Sequence, residues 1–159
     1  MCPTHDLPQD LTQGPVHEEA LTAAHTLEYT YKRSLGDVLS KFFTALRDRK
    51  FLGIRRADGS VMVPPKEYDP DTGQSLDEWV EVADEGVVKS WSWVSSPRRQ
   101  QPLGHPFAYA LVLLDGSDTP FIHVVDAIDE ARMKTGMRVK ARWAKETTGM
   151  MTDFAFVPA

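Results

Sequence analysis

The strongest periodicity in the chain lies in "SLGDVLSKFFTALRDRK", residues 34–50. Leu35, Val38, Leu39, Phe42, Phe43 and Leu46 recur at i, i+3, i+4 and i+7, which puts them on one stripe of an α-helix. Ser34 stands where a capping residue would. Lys41, Arg47, Asp48, Arg49 and Lys50 load the polar side and the last turn, where cations suit the helix dipole. The stripe fits either a helix covering an open edge of the domain or a docking helix for a partner. Two adjacent phenylalanines are heavy for a narrow stripe, which speaks for docking.

Beyond residue 50 the apolar period falls to two. "FLGIRR" and "SVMV" flank Asp58 and Gly59, a hairpin signal, and Pro64 and Pro65 end the second strand because proline cannot donate to a ladder. "DPDTGQSLDE" reads as a turn-rich connector. Six short alternating segments follow: "EWVEVA", "GVVKSWSWVSS", "FAYALVLLD", "PFIHVVDA", "MRVKARWAKE" and "TDFAFVPA". The first two join at Asp84 to Gly86. "DAIDEARMKTG" is compact and helix-leaning, with Gly136 as a stop. About five short strands with one helical interruption before the fourth predict a small closed barrel, with the OB-fold leading. The fold class is therefore mainly β with an N-terminal helix. The chain divides into a tail or docking arm at 1–31, a helix with a hairpin element at 32–77, and a barrel at 78–159.

Composition narrows the functions. At 159 residues, 42% hydrophobic and 9% aromatic, the chain is long and apolar enough for a packed core. A net charge of −5 supplies no general attraction for phosphate backbones or anionic lipid. The single cysteine, Cys2, excludes a disulfide framework and a thiolate metal cage. The start lacks the basic and apolar regions of a signal peptide, and no apolar run approaches the ~20 residues that cross a bilayer. A soluble, reducing, cytoplasmic setting is expected.

Few residues carry recognisable chemistry. His5, His17 and His25 share no helix face and read as scattered, solvated side chains. Asp69, Asp71, Gly73, Asp77 and Glu78 evoke a calcium loop, but Gly73 sits one place too early and Pro70 stiffens the turn. His105 lies in a loop before a strand, and His123 interrupts "FIHVV". Neither has the partners of a catalytic assembly in sequence, so an enzyme built on either ranks last. In "KSWSWV" Trp91 and Trp93 share one strand face, and Arg98 and Arg99 follow in a proline-punctuated loop leading to His105 and Phe107. Both tryptophans pack as core, or they form an aromatic platform flanked by guanidinium groups. Such a platform suits a nucleotide-bearing ligand such as coenzyme A, or single-stranded nucleic acid; the acidic net charge disfavours the latter.

The order "KFFTALRDRKFLGIRR", "GSVMVPPK", "EWVEV", "GVVKSWSWV", "FAYALVLLDG", "TGMRVKARW" and "DFAFVPA" resembles the acyl-CoA-associated OB-fold family known as domain of unknown function 35. In that family a helix and a rubredoxin-like zinc ribbon precede a small barrel. The resemblance covers residues from about 32 to 159. It places Arg55, Asp58, Asp69 and Thr72 at the four ribbon cysteines, a set that cannot build a tetrahedral zinc site. The resemblance therefore implies a cysteine-free ribbon without zinc, in which Arg55 facing Asp58 or Asp69 replaces the metal by ion pairing. It further implies a non-catalytic accessory subunit of a thiolase-fold partner in a hetero-oligomer. Such a subunit has no cofactor of its own and helps line an acyl-CoA channel, as in the retro-aldol cleavage of steroid CoA thioesters. Phe42, Phe43, Trp91, Trp93, Arg98, Arg99, His105 and Phe107 are the expected partner or CoA contacts. The alternative is a single-stranded nucleic-acid or nucleotide-binding OB module.

Overall fold

A computed structural model describes residues 23–30, 32 and 34–159. Cys2, His5 and His17, and with them most of the expected N-terminal tail or docking arm, lie outside the described residues. Residues 23–30 carry neither helix nor strand, and His25 among them is exposed. Contacts divide the chain into two units at Ser34, and the second, Ser34–Ala159, carries every described helix and strand.

The second unit opens with α1, Gly36–Arg47, which buries Phe42, Ala45 and Leu46. The helix is shorter than its apolar stripe. Leu35, not Ser34, is the residue before the first helical position, and the Ser34 hydroxyl accepts only the Gly36 N–H at 3.4 Å. At the other end Arg49 turns into the left-handed region at φ 60°, which stops the helix. Its guanidinium then donates to the carbonyls of Ala144 and Lys145, and the Thr147 hydroxyl donates to Arg47 O at 2.7 Å. The helix thereby anchors a distant loop.

Three short strands follow: β1 Phe51–Arg55, β2 Val61–Met62 and β3 Glu78–Val82. They form an antiparallel sheet in the order β2-β1-β3. β3 is the "EWVEV" segment that alternation grouped with the barrel; its whole length instead pairs with β1, from Phe51↔Val82 to Arg55↔Glu78. Turns at 56–60 and 67–76 close the two ends, the second stapled by a Tyr68↔Ser75 bridge.

The barrel comprises β4 Glu85–Val94, β5 Phe107–Leu114, β6 Phe121–Val125, β7 Arg138–Trp143 and β8 Phe154–Pro158. It closes in the order β4-β5-β6-β8-β7, with β4 pairing β7. Only β6 and β8 run parallel. This is the Greek-key closure of an OB-fold. The helix-leaning segment between β6 and β7 is a single 3-10 turn, Glu130–Arg132, capped by Asp129.

β4 serves both halves of the barrel, and two features let it bend. Gly86 pairs with Leu114 on one side and Val139 on the other; a Cβ there would lie 2.2 Å from Leu113 O. A bulge then shifts the register between Val88 and Ser90. Simple alternation from inward-facing Val88 would turn the serines inward; the extra residue puts Trp91 opposite Ala110 and Trp93 opposite Ala108 instead.

The core is continuous from sheet to barrel. Phe42, Leu46 and Phe51 join Val88, Val112, Leu114, Val125, Val139 and Phe156 in one buried cluster. Phe51 on β1 reaches into the barrel's aromatic end, with ring centroids 4.9 Å from Phe154 and 5.1 Å from Trp143.

Candidate functional site

The residues expected to contact a partner or CoA fall in three places. Phe42 is core, while Phe43 is half-buried with its ring edge-on to Phe42 and lines a shallow depression with Thr148 and Gly149. Trp91 and Trp93 are half-buried and pack against the barrel core through their inward face. Arg98 and Arg99 are exposed on the β4–β5 loop. Phe107 is fully buried although it lies on the barrel's outer face. The loop folds back so that Leu103 covers it, making a second small core with Val124, Ala155 and Tyr109.

The two turns of the small sheet meet through a cation, but the residue is Arg56 and not Arg55. Arg55 extends along the sheet, pairing Glu78 at 2.8 Å and donating to Gly59 O. Arg56 crosses between the turns. Its Nε donates to Asp69 Oδ2 at 2.8 Å, and its other nitrogens meet Asp69 Oδ1, Asp58 and Asp71. Asp69 is buried, and its Oδ1 also accepts the N–H groups of Asp71 and Thr72. The Arg56 hydrogen bond leads in holding the Asp69 carboxyl far below the usual range, opposed by burial and helped by those N–H groups. Asp58 in turn accepts the Ser60 hydroxyl and N–H, which lower its own pKa. These residues do not fit a zinc ion: Arg55 is a cation held by Glu78, and both Asp69 oxygens are occupied by donors. No cluster of three metal-ligating side chains occurs among the described residues.

Another concavity lies on the outer face of the barrel, and no motif in the sequence marked it. A cleft of about 360 Å³ opens between the β4–β5 loop, at Pro102 and Leu103, and the segment 144–153. Its floor is Tyr109, Ile122, Val124 and Ala155. Strands two and three of an OB barrel, flanked by these same two loops, form the fold's common ligand face. The segment 144–153 is held open by Asp153, which is buried and accepts N–H bonds from Thr148, Gly149 and Met150 at 2.7–2.9 Å. Burial pushes the Asp153 carboxyl upward, but those donors outweigh it and keep it ionised.

At the cleft's inner end the parallel β6–β8 seam has one residue pair, Val125↔Phe156. His123 bridges the opened seam: its Nε2 lies 2.9 Å from Phe154 O and its ring stacks on Phe154 at 4.0 Å. Burial lowers the His123 pKa against that bond, so the ring is neutral and Nε2 is the protonated donor. Beside β6, Asp126 binds Arg142 at 2.6 Å and His105 at 3.1 Å. Burial raises the Asp126 carboxyl, and these two partners more than reverse it. The sequence carried one signal for Asp126, a carboxylate ending an apolar strand in "FIHVVDA".

None of the curated proteins matches the sequence significantly. The family model for the ChsH2 C-terminal OB-fold domain matches residues 79–144. Among solved structures, a chain of the "Ltp2-ChsH2(DUF35) aldolase" superposes with a TM-score of 0.62 at 23% identity, covering 80% of this chain and 98% of that chain. A protein of unknown function from the DUF35 family of Sulfolobus solfataricus gives a TM-score of 0.61 at 18% identity, with 78% and 87% covered. Residues 79–144 thus match the OB-fold domain of the ChsH2 type, and the chain shares its fold with these two DUF35 structures.

Proposed function

We propose that this chain is a non-catalytic accessory subunit that binds a thiolase-fold partner and helps shape that partner's acyl-CoA site. The partner would supply the reacting groups, for retro-aldol cleavage of a steroid CoA thioester or a related acyl-CoA reaction. The observation that carries the proposal is the fold shared with a chain of the Ltp2-ChsH2(DUF35) aldolase, over 80% of this chain and 98% of that one. The chain's own chemistry is consistent with a supporting role. His123 is committed to a backbone carbonyl and His105 to Asp126, so neither histidine is set beside a nucleophile.

In this reading the exposed side of α1 and the small sheet form the docking surface, and Arg56 does the cross-linking that zinc performs in a metal-bearing ribbon. The β4–β5 loop, with Arg98 and Arg99, approaches the CoA. A nucleic-acid role is disfavoured by the net charge of −5 and the apolar floor of the barrel cleft. The test is an affinity capture of the full chain from its native host, followed by identification and quantification of bound protein. A thiolase-fold protein in roughly equal ratio is expected, with no thioester turnover by the chain alone. Turnover of a CoA thioester by the isolated chain, or capture of no thiolase-fold protein, would overturn the proposal.

A further inference from the structure

The outer face of β5 and β6 is apolar where a strand pair open to solvent would be polar. Ile122, 64% exposed, stands beside Val124 and Tyr109 on the floor of the cleft. His123 alternates to the core side of β6, opposite Ala110. Arg142 joins the outer face from β7: its register partner is Ala155, which belongs to the same floor. It is the one lysine or arginine on the lining.

Around the floor the donors are spare and the acceptors are engaged. Arg142 spends Nη2 on buried Asp126 at 2.6 Å, which leaves Nε and Nη1 without a partner among the described residues. The Tyr109 and Thr152 hydroxyls and the Trp143 N–H also belong to the lining and have no partner there. Tyr109 and Trp143 are half-buried, yet no buried side-chain nitrogen or oxygen among the described residues is left unsatisfied, so both polar tips reach solvent. The one carboxylate on the lining, Asp153, gives Oδ2 to three backbone N–H groups and Oδ1 to the Thr148 hydroxyl. Arg49 takes the Ala144 carbonyl, and the Ala144 N–H takes that of Asp153. What is left is an apolar slot with a tethered cation and three spare donors. Its volume falls at the lower end of the range for small-molecule sites.

We propose that this cleft binds a small apolar carboxylate, an aryl or alkyl acid, whose oxygens accept from Arg142 while its body lies on Ile122, Val124 and Tyr109. A carboxylate supplies the acceptors that the lining lacks, and a charged acceptor makes the stronger hydrogen bond to guanidinium. Asp126 holds the Arg142 side chain beforehand, so the ligand does not have to order it. The site belongs to this chain alone and does not depend on the partner reading, so its failure leaves that reading standing and the converse also holds.

The probes are 2-naphthoate and 2-acetonaphthone, an anion and a neutral ketone of the same shape, titrated into the nitrogen-15-labelled full chain by two-dimensional NMR. Both should saturate and perturb the amides of Ile122, Val124 and Ala155. The naphthoate should bind about three- to tenfold more tightly, the margin of a charged over a neutral hydrogen bond. Its affinity alone should fall as salt rises from about 0.05 to 0.5 M. Arg142→Gln keeps a donor for Asp126 and should abolish the preference while ketone binding persists. Ile122→Ser, at an exposed position, should weaken both probes. Equal affinity, or a tighter ketone, would mean a site for neutral acceptors and overturn the proposal. Salt-independent naphthoate binding, perturbations centred away from the cleft, or no saturable binding would overturn it as well. Should Arg142→Gln not fold, the salt dependence of the two probes on the unsubstituted chain decides.

Discussion

Replacing Phe51 with alanine tests whether the small sheet and the barrel fold as one body. Phe51 sits on β1, outside the barrel, yet is 1% exposed and lies within 4.9–6.3 Å, centroid to centroid, of Phe121, Trp143, Phe154 and Phe156. Deleting such a ring loses its transfer free energy and leaves a void that neighbouring strands cannot fill, at about 3–5 kcal/mol. For a unit of this size that lowers the melting temperature by roughly 10–20 °C. Urea titration followed by tryptophan fluorescence measures the loss. A double-mutant cycle of Phe51→Ala with Phe154→Ala should give a coupling of about 0.5–1.5 kcal/mol from the edge-to-face pair. A loss below about 1 kcal/mol with additive effects would refute the shared core, because a ring packed as described cannot be removed without a void.

Three further perturbations address separate parts of the fold. Arg56→Met should destabilise the protein at neutral pH far more than Arg55→Met, since only Arg56 spans the two turns. Asp69 has a depressed folded pKa, so its contribution is present above the unfolded value near 4 and fades as pH falls through the lower, folded value. The gap in urea midpoint between the parent and Arg56→Met should therefore be full at pH 7 and shrink below pH 4; a gap independent of pH contradicts the assignment. Gly86→Ala should lower the melting temperature sharply or prevent folding, because its Cβ has only the backbone of Leu113 and Leu114 to meet; an unchanged melting curve would mean the barrel seam is not so tight. Ile128→Gly should stabilise the protein by about 0.5–1 kcal/mol, since Ile128 is 74% exposed and holds a left-handed φ of 70° with a β-branched side chain. A melting temperature that falls would show that the isoleucine makes contacts worth more than that strain.

Element types were legible in the sequence wherever one face meets the core. The stripe through Phe42 and Leu46 is the buried side of α1, and the alternating segments from 85 onward became the barrel strands. The hairpin about Asp58 and Gly59 also formed, with Gly59 at φ 88° and Arg56 N–H bonded to Ser60 O. The candidate site was far less legible. Two arginines in succession differ in sequence only by one place, but one follows the strand and the other crosses between turns. Tyr109, Ile122 and His123 look like ordinary strand residues, and they become a cleft only because two loops distant in sequence rise beside them.

By itself, then, the sequence determined where α1 and the strands lie, their order and, outside β4, most of their inward faces, because periodicity depends on neighbours within a few residues. The tertiary structure alone decided that β3 joins β1 rather than the barrel, and that a bulge before Ser90 turns both tryptophans inward. It also decided that Arg56 bridges the turns and that His123 lines a cleft. Each of these is a choice among partners far apart along the chain, settled by packing and hydrogen-bond satisfaction, which no local pattern encodes.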